Sequence, residues 1–431
     1  MSNWRLLLLI LGTLALALGC NPPKKSPATP GKPITPGAGK PAKPATPPVD
    51  TVVWTPGQKP DQQPGRDKVD GPYRIALLMP FLTNQFSSTV PEKSELALQF
   101  YAGARLAAQQ LSTTGGPNLK IDVVDSQLSD AEFQAALANP LLKDAQVIIG
   151  PARPSHVGML AAQATGRRQI VLSPMTPGSE QVKGFPDFLQ ISPSLRAHCE
   201  AIVRHVARKH DPSAVTLLCK QKEADRLPYF QQAQAKRGGS PYRELILPDN
   251  TADFSQVSLK AYLQPGKTSV FIVPSWASQD FINSLLRKLK AEKANVEVYG
   301  MPQWADFENI EPEFLTANRV HIPKSNYIDY NREDIKAFQK AFLDAYGTIP
   351  NDDAFNGYDV VLFAGTSLKQ YGLSFAEKLN KQSYKGFRSD YQFQPVSAGQ
   401  ILDTGVRNFD YQENVFLHIL RFDKYGYIPA N

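Results

Sequence analysis

The chain has 431 residues, 42% hydrophobic and 20% charged, with a formal net charge of +7. Arg5, with the excess of eight Lys/Arg over four Asp in residues 21–72, supplies +5 of that charge and leaves +2 for the remainder. A basic balance carried by a tail argues against a nucleic-acid-binding fold, and residues 73–431 are too many for one small domain.

Residues 1–20 read as a targeting segment. Arg5 provides the positive start, and residues 6–18 form an apolar stretch too short and too terminal for an ordinary membrane span. The stretch runs into Ala17-Leu18-Gly19-Cys20. Small residues leading to a cysteine resemble a bacterial lipobox, in which the cysteine is lipidated and becomes the first residue of the mature chain. The usual order has Leu three positions before the cysteine and a small residue two before it, where this chain has Ala17-Leu18. The expectation is an envelope protein anchored through Cys20 on the periplasmic face of the inner or outer membrane; the alternative is a plain secretory signal with an incidental cysteine. Residues 21–72 hold fourteen of the 36 prolines, interleaved with Lys, Thr, Ala and Gly. Such a composition buries no core and favours polyproline II. Extended at about 3.1 Å per residue, this disordered tether would reach roughly 150 Å.

Residues 74–79 (RIALLM) read as the first strand, and Leu96, Phe100, Ala104, Ala107 and Leu111 mark one face of a following helix. Residues 120–125 (KIDVVD) form the next strand. The stretch 146–178 then gives an apolar run (147–149), a stop at Gly150-Pro151, a helix-compatible segment (155–165), a second run (170–172) and a stop at Ser173-Pro174. Strand, turn, helix, turn, strand is a βαβ unit with a right-handed crossover. Residues 188–191 make a further strand. A second series opens with a helix over 195–209 and continues through strands at 215–218, 244–247, 270–273, 296–299 and 320–322. Strands alternating with helices argue for parallel sheets, and two series argue for two α/β lobes. In such sheets ligands sit outside the carboxyl ends of the strands. Ser155, Ser173 and Thr176 fall there, so a small-molecule site built from hydroxyls, backbone amides and a helix N-terminus is expected.

Other chemistry is thin. Cys199 heads a helix and Cys219 ends the next strand, and an oxidising compartment would allow a disulfide between them. His198, His205 and His210 lack the spacing of a helical metal pair, so no metal is expected. Gly266-Lys267-Thr268 is not a phosphate loop, because Ala261 stands where the first glycine belongs and a strand follows. There is no nucleophile elbow and no zinc-protease motif, so neither an enzyme nor a cofactor is expected.

The ordered set 75–80 (IALLMP), 120–126 (KIDVVDS), 148–151 (IIGP), 172–174 (LSP), 191–193 (ISP), 346–350 (YGTIP) and 354–359 (AFNGYD) resembles the type I periplasmic binding proteins, in particular the leucine/branched-chain amino-acid-binding group. The resemblance implies two doubly wound α/β lobes joined by three crossings near 192–193, 324–327 and 386–390. Lobe one would take 73–192 and 327–387, lobe two 193–326 and 388–431. In amino-acid-binding members the loops after the IIGP and SP strands hold a carboxylate, which points to Arg153, Ser155, Ser173, Met175 and Thr176. Lobe two normally adds an aromatic and an acidic residue for the ammonium group. Here its first loop, 219–225 (CKQKEAD), is basic, and the other loops offer Ser275-Trp276 and Gln303-Trp304. Arg153, Lys220 and the tryptophans would suit an anionic or flat apolar ligand. The structural alternatives are that Trp276 and Trp304 cover core edges, that Arg153 and Lys220 are solvated or ion-paired, and that Ser155 caps its helix.

The expected function is a lipid-anchored solute-binding protein that captures a small molecule, an amino acid or another small ligand, for ABC-type uptake or sensing. The alternative is a non-transporting interaction lipoprotein of the cell envelope on the same fold, such as a cell-wall synthase activator.

Overall fold

A computed structural model describes residues 51–54, 69, 71–176, 182–251, 253–381, 383–403 and 408–430. They belong to one compact unit, Val49–Asn431. Cys20 and nearly all of the Pro-rich segment lie outside the described residues.

The chain opens with β1 (Thr51–Trp54), β2 (Tyr73–Met79), α1 (Glu95–Thr113), β3 (Leu119–Asp125), α2 (Asp130–Ala136), α3 (Pro140–Lys143), β4 (Val147–Ile149), α4 (Pro154–Thr165), β5 (Ile170–Ser173) and β6 (Phe188–Gln190). It continues through α5 (Leu195–Val206), β7 (Val215–Lys220), α6 (Leu227–Lys236), β8 (Arg243–Leu247), β9 (Ser269–Ile272), α7 (Gln279–Ala291), β10 (Val296–Tyr299), α8 (Pro312–Ala317) and β11 (Val320–Lys324). It ends with α9 (Glu333–Tyr346), α10 (Asp352–Tyr371), β12 (Tyr384–Lys385), β13 (Asp390–Tyr391), β14 (Phe393–Ser397), β15 (Gln400–Ile401), β16 (Tyr411–Asn414), β17 (His418–Asp423) and β18 (Gly426–Pro429). One sheet of nine strands has the order β1-β3-β2-β4-β5-β6-β16-β14-β15, and one of seven has the order β18-β17-β11-β10-β9-β7-β8.

The central strands read as unbroken apolar runs because both of their faces are buried. Ile75, Leu77 and Met79 of β2 pack with α1, α9 and α10, while Ala76 and Leu78 pack with α2, α3 and α4. In the second sheet Phe271, Val298 and Ile322 face α7 and α8, and Val215, Leu217 and Ile272 face α5 and α6. α10 is buried on nearly every side, and α1 lies across it with its expected apolar face inward. Among the described residues no helix is long and apolar enough to cross a membrane.

Three features depart from the sequence reading. β1 falls inside the stretch read as tether. Its Thr-Val-Val-Trp run is the strand-forming one there, and it pairs antiparallel with β3 at the sheet edge, Thr51 against Asp122 and Trp54 against Leu119. The C-terminal part also divides differently. β14, β15 and β16 complete the first sheet, with β16 parallel to β6, and only β17 and β18 join the second. The chain therefore passes between sheets at 415–417 rather than at 386–390. That earlier segment is instead held to α10, where the buried Asp359 carboxylate accepts hydrogen bonds from the Phe387 and Arg388 amides at 2.8 and 2.9 Å. Finally, Cys199 and Cys219 form no disulfide. Both are free and buried, packed as small apolar groups between α5, α6 and the second sheet. Burial raises the Cys199 thiol well above its usual range and pushes Cys219 up to about 12.

Candidate functional site

Strand order locates the crevices. In the first sheet the chain steps from β2 outward to β3 and then returns to β4 on the other side; in the second it steps from β7 to β8 and returns to β9. Each reversal opens a crevice outside the carboxyl ends of the central strands. Arg153 and Ser155 follow β4, Ser173 ends β5, and Met175 and Thr176 follow it. Lys220 ends β7, Ser275 and Trp276 follow β9, and Gln303 and Trp304 follow β10.

In the first lobe these groups are bonded locally. Ser173 and Thr176 are buried, with their hydroxyls 2.9 Å apart. Met175 packs against the core, and its sulfur accepts a contact from Asn356 Nδ2 at 3.4 Å. Arg153 is exposed and is the N-cap of α4 without a side-chain capping bond; its Nη1 donates to the Leu128 carbonyl. Ser155 does not cap that helix. Its hydroxyl donates to Asp130 Oδ1 at 3.1 Å. The buried His156 stacks on Phe133 at 3.9 Å, and its Nε2 approaches the same oxygen to 3.2 Å without aligned hydrogen-bond geometry. Burial, then the Arg153 charge, lowers this imidazole. Serine, carboxylate and imidazole meet here, but Asp130 stands between the other two, so the serine–imidazole contact of a hydrolase is not made. Asp125 holds the rim, its carboxylate accepting from the amides of Phe81, Leu82 and Thr83 at 3.0, 3.1 and 2.8 Å.

The second lobe brings its candidates closer together. After β7 a 3₁₀ turn, Gln221–Arg226, points Glu223 inward. Glu223 is 3% exposed, and its Oε1 accepts the Ser275 hydroxyl at 2.8 Å and lies 3.5 Å from Arg226 Nη1. Its other oxygen is buried and has no partner among the described residues. Arg226 also donates to the Pro274 carbonyl at 2.7 Å, and its guanidinium lies 3.8 Å from the centre of the half-buried Trp276 ring. Trp304 is a core residue, 1% exposed, with its indole N–H donating to the Ser275 carbonyl at 2.6 Å. Lys220 sits 4.9 Å from the Phe281 ring centre, and Gln303 is exposed.

The structure thus unites Ser173 with Thr176, and Ser275 with Trp304, while Trp276 joins them through Arg226 and Glu223. Among the described residues no hydrogen bond joins the candidates of one lobe to those of the other. Glu223 and Arg226 escaped the sequence reading because the loop's lysines make it look basic. The readable signal was an acid and an arginine three apart, which one helical turn brings to the same side. Among the described residues no group of three or more His, Cys, Asp or Glu is set to hold a metal ion.

Known proteins share this architecture. A family model described as periplasmic binding protein matches residues 91–403. No curated protein matches the chain significantly in sequence. An ABC transporter substrate-binding protein of Desulfitobacterium hafniense, solved in complex with Leu, superposes with a TM-score of 0.52 at 14% identity, over 83% of this chain and 99% of that one. A branched-chain amino acid ABC transporter periplasmic ligand-binding protein of Burkholderia xenovorans gives 0.55 at 12% identity, over 83% and 94%. LpoA of Haemophilus influenzae gives 0.55 at 11% identity, over 85% of this chain and 60% of that one. Likeness at these identities speaks for the fold alone. Together with two parallel-dominated sheets whose order reverses at the crevices, and a family match over most of the folded part, it shows that the chain belongs to the type I periplasmic binding protein family, with the leucine/branched-chain-binding kind of fold.

Proposed function

We propose that the protein is a lipid-anchored extracytoplasmic receptor that captures a small amino-acid-like molecule between its lobes, for delivery to an ABC-type permease or for sensing. The observation that carries this reading is Glu223. A buried carboxylate oxygen without a partner costs folding free energy, and this one sits at the strand-order reversal beside Arg226, Ser275 and Trp276. It calls for a hydrogen-bond donor, such as the ammonium group of a ligand. The α4 N-terminus and the hydroxyls of Ser173 and Thr176 suit the opposite, carboxylate end. Trp276 would cover the apolar part.

Purified protein should release a co-bound small molecule in native mass spectrometry. Calorimetric titration with that molecule should then show Glu223→Gln binding ten- to a hundredfold more weakly, about 1.5–3 kcal/mol. Equal affinities would remove Glu223 from the site. The absence of a ligand in both measurements would favour the second reading, an interaction lipoprotein of the envelope. That reading draws support from the way Ser155, Ser173 and Arg153 are bonded within their own lobe and Arg226 already covers Trp276. Anchoring is tested separately. Cys20→Ala should move the protein from the membrane fraction to soluble or uncleaved precursor, and unchanged membrane attachment with the signal cleaved would overturn it.

A further inference from the structure

The five parallel strands of the second sheet, β8, β7, β9, β10 and β11, all enter from the same end, opposite the crevice. The loops that feed them, 207–214, 237–242, 263–268, 292–295 and 318–319, hold six Lys/Arg (Arg208, Lys209, Arg237, Lys267, Lys293 and Arg319) against two acids, Asp211 and Glu292. These loops alone are thus +4, whereas the whole chain outside Arg5 and residues 21–72 is +2. The loops into β3, β4 and β5 of the first lobe, 114–118, 144–146 and 166–169, hold Arg167 and Arg168 against Asp144. Positive charge is therefore concentrated on one end of one lobe.

Helix polarity explains part of this. α5, α6 and α7 end here, and each C-terminus draws cations with about half a negative charge, in all less than half of the excess. Internal pairing does not explain the rest. Arg319 donates to the Val296 carbonyl and pairs with Glu297. Arg208, Arg237, Lys267 and Lys293 are exposed, and among the described residues their side chains make no hydrogen bond and no salt bridge. They also crowd a neighbour: burial lowers the half-buried Arg204, one turn before Arg208, and against Glu200 the charges of Arg208 and Arg237 lower it further. The β17–β18 turn reaches the same end, because β17 runs antiparallel to β11 and its Arg421 is level with His321. In that turn Lys424 is followed by Tyr425, which is 95% exposed.

We propose that this end of the second lobe is a docking surface for a membrane rich in anionic phospholipid, with the loop cations on the headgroup phosphates and Tyr425 at the level of the headgroups. The cations are spread across the whole end: from β17 to β8 is five strand spacings, about 24 Å. A protein interface depletes lysine and centres on buried aromatic anchors, and the five entry loops carry no exposed aromatic. A lone phenol at the edge of a field of cations suits the boundary between headgroups and water. Docked this way, the crevice of the second lobe, at the other ends of the strands, faces away from the bilayer. The inference does not depend on a ligand at Glu223 or on a lipid at Cys20.

The test is hydrogen exchange by mass spectrometry on the full chain, with vesicles of phosphatidylcholine alone and of phosphatidylcholine mixed with phosphatidylglycerol. Peptides covering 207–214, 237–242 and 421–428 should exchange about tenfold more slowly on the anionic vesicles only, and those covering 166–169 should not change. Raising the salt concentration should shrink the difference. Arg208→Gln, Arg237→Gln and Lys267→Gln combined should abolish it, at roughly fivefold in association per charge. Tyr425→Ser, with no change of charge, should also weaken it. Arg167→Gln, Arg168→Gln and Lys183→Gln combined remove the same charge elsewhere and should leave it intact. Unslowed exchange of the wild type on anionic vesicles overturns the proposal and leaves the surface to an acidic protein. Equal loss in the two triple variants overturns it too, because net charge or the Lys-rich tether would then be the cause.

Discussion

Gly357→Ala is expected to destabilise the protein by about 3 kcal/mol or more, lowering Tm by roughly 6–12 °C for a lobe of this size. α1 and α10 approach backbone to backbone. A Cβ on Gly357 would lie 1.9 Å from the Phe100 carbonyl oxygen, and one on Gly103 would lie 1.8 Å from that of Ala354. The two contacts are reciprocal, so each helix can only be relieved by moving the other. Movement would strip packing from Phe100, Ala104 and Ala107 on one side and from Tyr358 and Val361 on the other. Helix propensity opposes this result, since alanine is better than glycine by about 1 kcal/mol in a helix interior. The backbone clash is the larger effect, because a carbonyl oxygen in a packed helix cannot rotate away as a flexible side chain can. Gly166, at the end of α4 with nothing within 4 Å of its Cβ position, is the control and should tolerate alanine with little change. Chemical denaturation of the three proteins checks the argument; a loss under 1 kcal/mol at Gly357 would show that the helices are free to separate.

Acidification from pH 7 to 5 should weaken the second lobe by about 4 kcal/mol through two neighbouring histidines, and His198 of α5, likewise lowered to about 4 by burial, adds about half as much again. His205 of α5 and His321 of β11 are each 4% exposed, with ring centres 6.0 Å apart and a nitrogen on each lacking a partner. Burial, helped by Lys209 and the neighbouring His321, lowers His205 to about 4; burial likewise lowers His321 to about 4, against the opposing charge of Glu297. The unfolded chain takes up these protons near pH 6.5 and the folded one does not, so stability is full above 6.5 and declines as pH falls towards 4. Glu297 adds to the loss at lower pH. Burial pushes it up, but the His210 hydrogen bond and charge overcome this and leave it at about 2, so its contribution is present above about 4.5 and lost below. In the first lobe the sign is opposite. Burial raises Asp359 to about 6, and a carboxyl raised by folding is relieved as pH falls towards its unfolded value. Hydrogen exchange at pH 7 and 5 should therefore show the β9–β11 region opening before β2–β5. His321→Phe, which keeps the stack on Tyr299 (4.6 Å in the native pair), should remove about a third of the pH dependence, the rest lying with His205 and His198. An unchanged dependence in that variant would dismiss the histidine account.

The alternation of apolar runs with helical stripes was enough to give two α/β lobes, because a strand buried on both faces has to be apolar at every position and a helix on one face only. That pattern placed β2, β4, β5 and β9 and the inward face of α1, and with them the loops where a ligand would sit. The sequence alone also carries the expectation of a targeting segment at residues 1–20, and it holds the Pro-rich composition of residues 21–72. Tertiary structure decided the rest. β16 reads Tyr-Gln-Glu-Asn and carries no apolar period, yet all four residues are buried; it joins the first sheet through pairing with β6, far away in the chain, and no local signal encodes such a choice. In the loop after β7, composition pointed to the lysines, whereas the 3₁₀ turn sends Glu223 inward and lays Arg226 on Trp276. Trp304 and the two cysteines went to the core for the same reason: which of several adjacent residues faces inward depends on the backbone direction at the end of a strand, and that direction is set by the packing of whole elements against one another.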